Sequence, residues 1–209
     1  MLIYFIRHGE TAWNKEHRMQ GRSDIPLNDY GRKLARITAA ALSDIPFELI
    51  YTSPLLRAKE TAQIMAAGRN LPVHEDDRLI EMGFGIGEGK TLEEIRSMPE
   101  TGLYRFLDSP ETYLPPEGAE SFDELYARCQ SFIKEVILPA EKTCQAMLVI
   151  CHGALIRGMI HHITGMTTAD FWKVTHYNCS ATIASCENGR IQLLEQGKIY
   201  YDKDVNTIW

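Results

Sequence analysis

The sequence has no excess of basic residues, no pattern of a secretory signal at its start and no long apolar run. Its 22 lysines and arginines are outnumbered by 28 aspartates and glutamates, giving a net charge of −6, so bulk electrostatics do not favour nucleic acid. Apolar residues 1–6 lack a basic start and a cleavage site. No apolar run approaches the roughly 20 residues of a membrane span. We therefore expect a cytoplasmic protein that binds neither nucleic acid nor a membrane.

A paired cysteine motif is also missing. The five cysteines occur at irregular spacings, and no two of them form a Cys-x-x-Cys pair. Their odd number and spacing argue against a disulfide framework or a zinc site and favour a reducing compartment. They are Cys129, Cys144, Cys151, Cys179 and Cys186.

The length of 209 residues and the apolar content of 44% are typical of one globular domain with a full core. We predict a single domain over residues 1–209. Residues 80–118 are rich in glycine and proline, and a capping box at Thr91 and Glu94 predicts a short helix among them. We interpret residues from about 80 to 120 as a lid inserted over the main sheet. Its aromatic side chains either line a pocket or pack the lid against the body; they are Phe84, Tyr104, Phe106 and Tyr113.

Short apolar segments alternate with amphipathic helices along most of the chain. The predicted strands cover residues 2–6, 47–52, 73–74 and 146–151, the third at a sheet edge. The predicted helices run from Asn28 to 43, from Ser53 with Pro54 as first helical residue to 69, from Ser121 to Pro139, and onward from Gly153. Residues 179–186 and 191–194 read as a hairpin around Asn188-Gly189. The alternation indicates an α/β fold, a three-layer α/β/α sandwich with a mostly parallel central sheet.

Two histidines follow directly after predicted strands, at the edge where such sheets bind ligands. Arg7 and His8 come after the first strand, His152 and Gly153 come after the strand over 146–151, and Arg57 lies in the first turn of a helix. Two guanidinium groups supply donors for phosphate oxygens, and their charge lowers the pKa of a nearby imidazole. A neutral imidazole can attack phosphorus while a second one stabilises the transition state, and such chemistry needs no metal.

Near the start of the chain, residues 7–11 and Asn14 resemble the signature of the histidine phosphatase superfamily, the phosphoglycerate mutase-like proteins. The resemblance spans residues 2 to about 195, in family order. Further matching motifs lie at residues 20–21, 51–58, 79–81, 88–89 and 152–157. No one of these short motifs decides the matter, but their number and order are specific.

The resemblance implies a role for each matching residue. His8 would be the phosphorylated nucleophile, its other nitrogen held by a backbone carbonyl near Gly9, and Glu81 would protonate the leaving oxygen and then activate water. The implied catalytic residues are His8, Glu81, His152, Arg7 and Arg57. The implied phosphate-binding residues are Arg7, His8, Asn14, Gln20, Gly21, Arg57, Glu81, His152 and Gly153. The resemblance implies no metal and no cofactor. It implies a small phosphorylated metabolite as the partner.

Motif differences separate hydrolases from mutases within this superfamily. Mutases usually follow the catalytic Glu with Arg and an aromatic residue and carry a later Arg-Arg pair, whereas here Met82 and Gly83 follow Glu81 and no Arg-Arg pair occurs. The glycine-rich segment over 83–89 resembles the broad-specificity and α-ribazole phosphatases, although Gly87 stands where an aromatic residue is common. Phosphomonoester hydrolysis is therefore favoured over mutase-type transfer and over a non-catalytic phosphate-binding regulator. A homodimer remains open, and Trp209 is expected to dock on the body or on a partner chain.

Overall fold

The computed structural model describes residues 1–202 and is built on one six-stranded sheet with the strand order β3-β2-β4-β1-β5-β6. The strands are β1 (Leu2–Arg7), β2 (Leu49–Thr52), β3 (Val73–Glu75), β4 (Ala146–Cys151), β5 (Ala181–Glu187) and β6 (Arg190–Lys198). The first four in sequence pair in parallel, whereas β5 runs antiparallel to both β1 and β6. The predicted α/β fold with a mostly parallel sheet is confirmed, and Val73–Glu75 lies at the predicted edge.

Helices cover both faces of the sheet. They are α1 (Ala12–Lys15), α2 (Asp29–Ala41), α3 (Leu56–Ala66), α4 (Leu92–Arg96), α5 (Tyr104–Asp108), α6 (Phe122–Phe132), α7 (Leu138–Ala140) and α8 (Gly153–Thr164). Single 3₁₀ turns lie at Asp77–Leu79, Gly85–Gly87, Pro99–Thr101, Pro110–Thr112 and Thr168–Asp170, and a π-helical turn, Ile133–Ile137, joins α6 to α7.

The alternation of side chains along the central strands divides the apolar core into two layers. On β1, Ile3 and Phe5 pack with α6 and α8, whereas Tyr4 and Ile6 pack with α2 and α3 on the opposite face. The strand β4 alternates in the same way. Both strands are buried on both faces, which is why they read as continuous apolar runs.

The predicted start of α3 is wrong. The helix begins at Leu56, not after Ser53 and Pro54, and its N-cap residue Leu55 makes no side-chain capping bond. The Ser53 hydroxyl oxygen accepts the Leu55 N–H at 3.3 Å and also forms a 2.7 Å hydrogen bond with His152 Nε2. Ser53 therefore caps only the turn before the helix, because the first helical N–H groups, those of Ala58 and Lys59, bond to the Leu55 carbonyl oxygen.

Pro139 does not end its helix as predicted, since α7 continues to Ala140. The π-helical turn interrupts the regular α-helical hydrogen bonds before α7. Pro139 therefore falls in the first turn of α7, where the absence of a proline N–H removes no helical hydrogen bond. The N-cap at Asn28 and the capping boxes at Thr91 and Ser121 are confirmed.

The hairpin between β5 and β6 turns at Asn188 and Gly189, whose φ angles are 52° and 73°. Two successive positive φ angles are typical of the turn that the Asn-Gly pair predicts.

All five cysteines are free and buried. No helix within residues 1–202 is both long and apolar enough to cross a membrane. Trp209 lies outside the described residues, and the single domain with a lid stays a prediction.

Candidate active site

His8 follows the last residue of β1 and is 2% exposed. Arg57 Nε can only donate, and it lies 3.3 Å from His8 Nε2, so Nε2 is the acceptor. The ring proton therefore lies on Nδ1, which donates to the Gly9 carbonyl oxygen at 2.7 Å. Burial, and next the charges of Arg57 and Arg7, hold the pKa of His8 well below its ordinary value. His8 thus presents a neutral ring with a lone pair on Nε2.

Arg57 is held rigidly in the first turn of α3, as predicted. Its Nη1 donates to the Ser23 carbonyl oxygen at 2.8 Å and its Nη2 to the Gly21 carbonyl oxygen at 2.7 Å. Arg7 is tied in a similar way, since its Nη1 donates to the His176 carbonyl oxygen at 2.7 Å. Burial lowers the pKa of each guanidinium to about 10. Both groups stay charged at neutral pH.

His152 lies against His8, with 5.1 Å between the two ring centroids. Burial, and next the charge of Arg57, hold the pKa of His152 well below its ordinary value. Its Nε2 is bonded to Ser53, while its Nδ1 has no hydrogen-bond partner among the described residues. A second neutral imidazole therefore stands next to the first.

Glu81 lies at the N-terminus of α8. Its carboxylate accepts hydrogen bonds from the backbone N–H groups of Met82 at 2.9 Å, and of Ala154 and Leu155 at 3.2 Å each. A carboxylate suits this position because the N-terminal N–H groups of a helix lack helical acceptors. The contacts fix the carboxylate on the wall of the cavity that His8 also lines.

A cavity of about 440 Å³ opens at these residues. All of the predicted phosphate-binding residues line it except His152, which is fully buried and lies against His8. The end near His8 is cationic, whereas the far wall is largely apolar. The apolar residues there are Met19, Phe84, Leu92, Phe106, Leu107 and Trp172. Phe84 and Phe106 thus line the cavity and also pack in the core, whereas Tyr113 packs in the core without lining the cavity.

Two arginines on the far wall are already paired with carboxylates. Arg18 contacts Glu16 at 2.6 Å and Glu94 at 3.7 Å. Arg96 donates two hydrogen bonds to Asp108, at 3.2 and 2.8 Å. Free positive charge is therefore concentrated at the end of the cavity that holds His8.

The sequence motifs did not identify several residues that line the cavity wall. They are His17, Arg157, Trp172, Thr175 and His176. Arg157 lies one helical turn after Gly153, and that i,i+4 spacing could have indicated it. Its guanidinium lies 4.5 Å from the ring centre of Trp172, and burial lowers its pKa to about 9. His176 Nδ1 forms a hydrogen bond with Thr182 Oγ1 at 3.2 Å.

The donors around the cavity suit an oxyanion. Guanidinium groups, a carboxamide and backbone N–H groups all stabilise anionic oxygens. Within residues 1–202, no group of three or more His, Cys, Asp or Glu side chains could hold a metal ion.

The family model of the histidine phosphatase superfamily (branch 1) matches residues 3–198. The chain belongs to this superfamily. Phosphoserine phosphatase 1 from Hydrogenobacter thermophilus is 31% identical over 193 residues, covering 92% of this chain and 90% of that protein. Phosphoglycerate mutase-like protein 4 from Arabidopsis thaliana is 37% identical over 161 residues, covering 75% of this chain and 68% of that protein.

Solved structures share the fold along nearly the whole chain. YhfR from Bacillus stearothermophilus superposes with a TM-score of 0.87 at 32% identity, covering 95% of this chain and 97% of that chain. The α-ribazole phosphatase from Shigella flexneri gives a TM-score of 0.82 at 25% identity, covering 93% of this chain and 95% of that chain. Histidine phosphatase relatives thus include both phosphatases and mutase-like proteins, and the choice between the two activities depends on this chain's own cavity.

Proposed function

We propose that this histidine phosphatase hydrolyses phosphomonoesters of small metabolites through a phosphohistidine on His8, without a metal ion. One observation carries the proposal. The Nδ1 proton of His8 is bound to the Gly9 carbonyl oxygen, so the lone pair of Nε2 lies beside Arg57 at the cationic end of the cavity. A neutral imidazole with one fixed lone pair is a competent nucleophile toward phosphorus.

The proposed reaction has two displacements. His8 Nε2 attacks phosphorus, the N–P bond forms, and the P–O bond to the leaving group breaks while Glu81 gives that oxygen a proton. Glu81 then takes a proton from water as the water oxygen attacks phosphorus, and the N–P bond breaks. Inorganic phosphate leaves, and His8 is neutral again. Arg7 and Arg57 stabilise the charge on the phosphoryl oxygens throughout, with Asn14 and Gln20 as further donors, while the ring of His152 supports His8.

Hydrolysis is favoured over mutase-type transfer by the far wall of the cavity. A mutase that uses a bisphosphate needs free cations for the second phosphate. Here the sequence has no Arg-Arg pair, Arg18 and Arg96 already pair with carboxylates, and the surrounding wall is largely apolar. These features suit water, and not a second phosphate ester, as the acceptor.

A phosphatase screen over a metabolite panel, with a chelator present throughout, tests the proposal. Wild-type protein should release phosphate in the chelator, and His8→Ala should lose at least roughly 10³-fold in rate. His74→Ala is the matched control, because His74 is exposed on the edge strand β3, and it should retain full rate.

Four results would contradict parts of the proposal. Loss of activity in the chelator removes the metal-free mechanism, and activity retained in His8→Ala removes the nucleophile. A bisphosphate-dependent mutase rate above the phosphatase rate replaces hydrolysis by transfer. A protein that binds vanadate and yet turns over nothing on the panel would be a phosphate-binding regulator.

A further inference from the structure

Asn178 lies in the segment between α8 and β5, and it is 2% exposed. It does not line the cavity. Its side-chain Nδ2 donates to the His8 carbonyl oxygen at 3.0 Å and to Asn14 Oδ1 at 3.3 Å. Both hydrogens of one amide group are therefore directed at residues of the proposed phosphoryl site.

The contact with Asn14 decides which way that side chain points. The backbone N–H of Thr11 can only donate, and it lies 3.1 Å from Asn14 Oδ1, so this atom is the oxygen of the amide. The Thr11 hydroxyl lies 3.2 Å from the same oxygen, and Asn178 supplies a further donor to it from outside this turn. With Oδ1 engaged on both sides, the Nδ2 donor of Asn14 is left for the cavity, which Asn14 lines.

The contact with His8 fixes the peptide group of the proposed nucleophile. The His8 carbonyl oxygen also accepts from Cys179 N–H at 3.3 Å, and that N–H lies 2.9 Å from the Arg7 carbonyl oxygen. Cys179 has a φ of 57°, a left-handed conformation that persists in a non-glycine residue when its surroundings fix it. Tyr201 supplies such support by donating its hydroxyl to the Asn178 carbonyl oxygen.

We propose that Asn178 is a positioning residue for phosphoryl transfer, which aims the Asn14 amide donor at the phosphoryl group and fixes the His8 peptide without touching substrate. The inference rests on the proposed function. Removing the Asn178 side chain leaves the Asn14 amide and the His8 ring in place but wrongly oriented. The turnover number should therefore fall more than the affinity for substrate.

A double-mutant cycle between Asn178→Ala and Asn14→Ala, measured with p-nitrophenyl phosphate, tests the inference. Each single variant should lower kcat by about 10- to 100-fold with a smaller change in KM. The double variant should lose much less than the product of the two single losses, because Asn178 acts partly through Asn14. Losses that multiply, or an unchanged kcat in Asn178→Ala, would overturn the inference.

Ser180→Ala is the matched control. Ser180 lies in the same segment, is fully buried, and its hydroxyl has no hydrogen-bond partner among the described residues, so kcat should stay within about twofold. If Asn178→Ala does not fold, Asn178→Asp keeps the shape and removes both donors, and the same cycle is run with it. Asn178→Asp at full kcat would equally overturn the inference.

The two proposals fail in different ways. An inactive wild type on the whole panel removes the hydrolase function, and positioning is then measured by the affinity for orthovanadate. Asn178→Ala should weaken that affinity as much as Asn14→Ala does, and an unchanged affinity would overturn the positioning role alone.

Discussion

Glu88 connects residues 84–88 to the loop that holds Arg57. Its carboxylate accepts from the N–H of Arg22 at 2.9 Å, from the N–H and hydroxyl of Ser23 at 2.8 and 2.6 Å, and from the N–H of Phe84 at 3.1 Å. The same loop offers the two carbonyl oxygens that Arg57 binds. A single carboxylate therefore helps to fix the guanidinium beside His8.

Gly21 allows this loop to approach Glu88. Its φ is +54°, and an added Cβ would lie 2.1 Å from Glu88 Oε1. We predict that Gly21→Ala displaces the carboxylate, moves the acceptors of Arg57 and lowers kcat/KM by roughly 10- to 100-fold. Steady-state kinetics check this.

Gly68→Ala is the control that separates backbone strain from the displacement of the Glu88 carboxylate. Gly68 has a φ of +80° with no atom within 4 Å of an added Cβ, so both variants should lose about 1–2 kcal/mol of stability from the left-handed backbone. Only Gly21→Ala should lose activity. Equal activity in the two variants would show that the contact with Glu88 does not matter.

At the scale of elements, α8 packs closely on α6 at Gly158. An added Cβ there would lie 2.8 Å from Cys129 Sγ and 3.3 Å from Leu125 Cγ. The packing matters for the site because α8 begins directly after His152 and receives the Glu81 carboxylate at its first turn. The packing of α8 on α6 thus supports the helix N-terminus that holds the Glu81 carboxylate.

We predict that Gly158→Ala lowers the free energy of unfolding by about 1–3 kcal/mol through overpacking. Cys129→Ala removes the atom that clashes, so the double variant Cys129→Ala/Gly158→Ala should recover part of the loss. Urea unfolding of the four proteins measures the coupling. Strictly additive losses would show that α6 moves aside without a clash.

Local patterns predicted the elements well where local contacts decide them. The cap at Asn28 and the turn at Asn188-Gly189 follow from residues close in sequence. The start of α3 does not, because the Ser53 hydroxyl caps only the turn before the helix and also binds His152, 99 residues further along the chain. No local pattern encodes such a contact.

The candidate site divides in the same way. Arg7, His8 and Glu81 were predicted, and they line one cavity. Asn178 and His176 were missed as site residues because their contacts depend on how the segment between α8 and β5 folds back on the end of β1. A chemical signature marks residues that react, whereas residues that hold them are found only in three dimensions.

Across the whole molecule, three buried histidines make the fold sensitive to acid. Burial is the main reason that the pKa values of His8, His152 and His176 lie well below the ordinary 6.5. Below pH 6.5 the unfolded chain binds protons at these positions and the folded protein does not. The free energy of unfolding therefore falls as the pH falls below about 6.5.

We predict a slope of up to about 4 kcal/mol per pH unit, about 1.4 for each of the three histidines. Urea unfolding between about pH 7.5 and 5.5 measures it, above the range where most carboxylates titrate. His176→Asn should reduce the slope by about one third, whereas His74→Asn, at an exposed site, should not change it. A flat profile over this range would contradict the prediction.

Locating the phosphoryl group on the protein during turnover tests the role of His8 most directly. With p-nitrophenyl phosphate, whose leaving group departs without a proton donor, Glu81→Gln should slow mainly the attack of water and so accumulate the intermediate. Stopping the reaction with denaturant at alkaline pH and mapping the peptides by mass spectrometry should place one phosphoryl group on His8 of wild type, more of it on Glu81→Gln, and none on His8→Ala. Turnover with no phosphoryl group on His8, or with one on another residue, would contradict the mechanism.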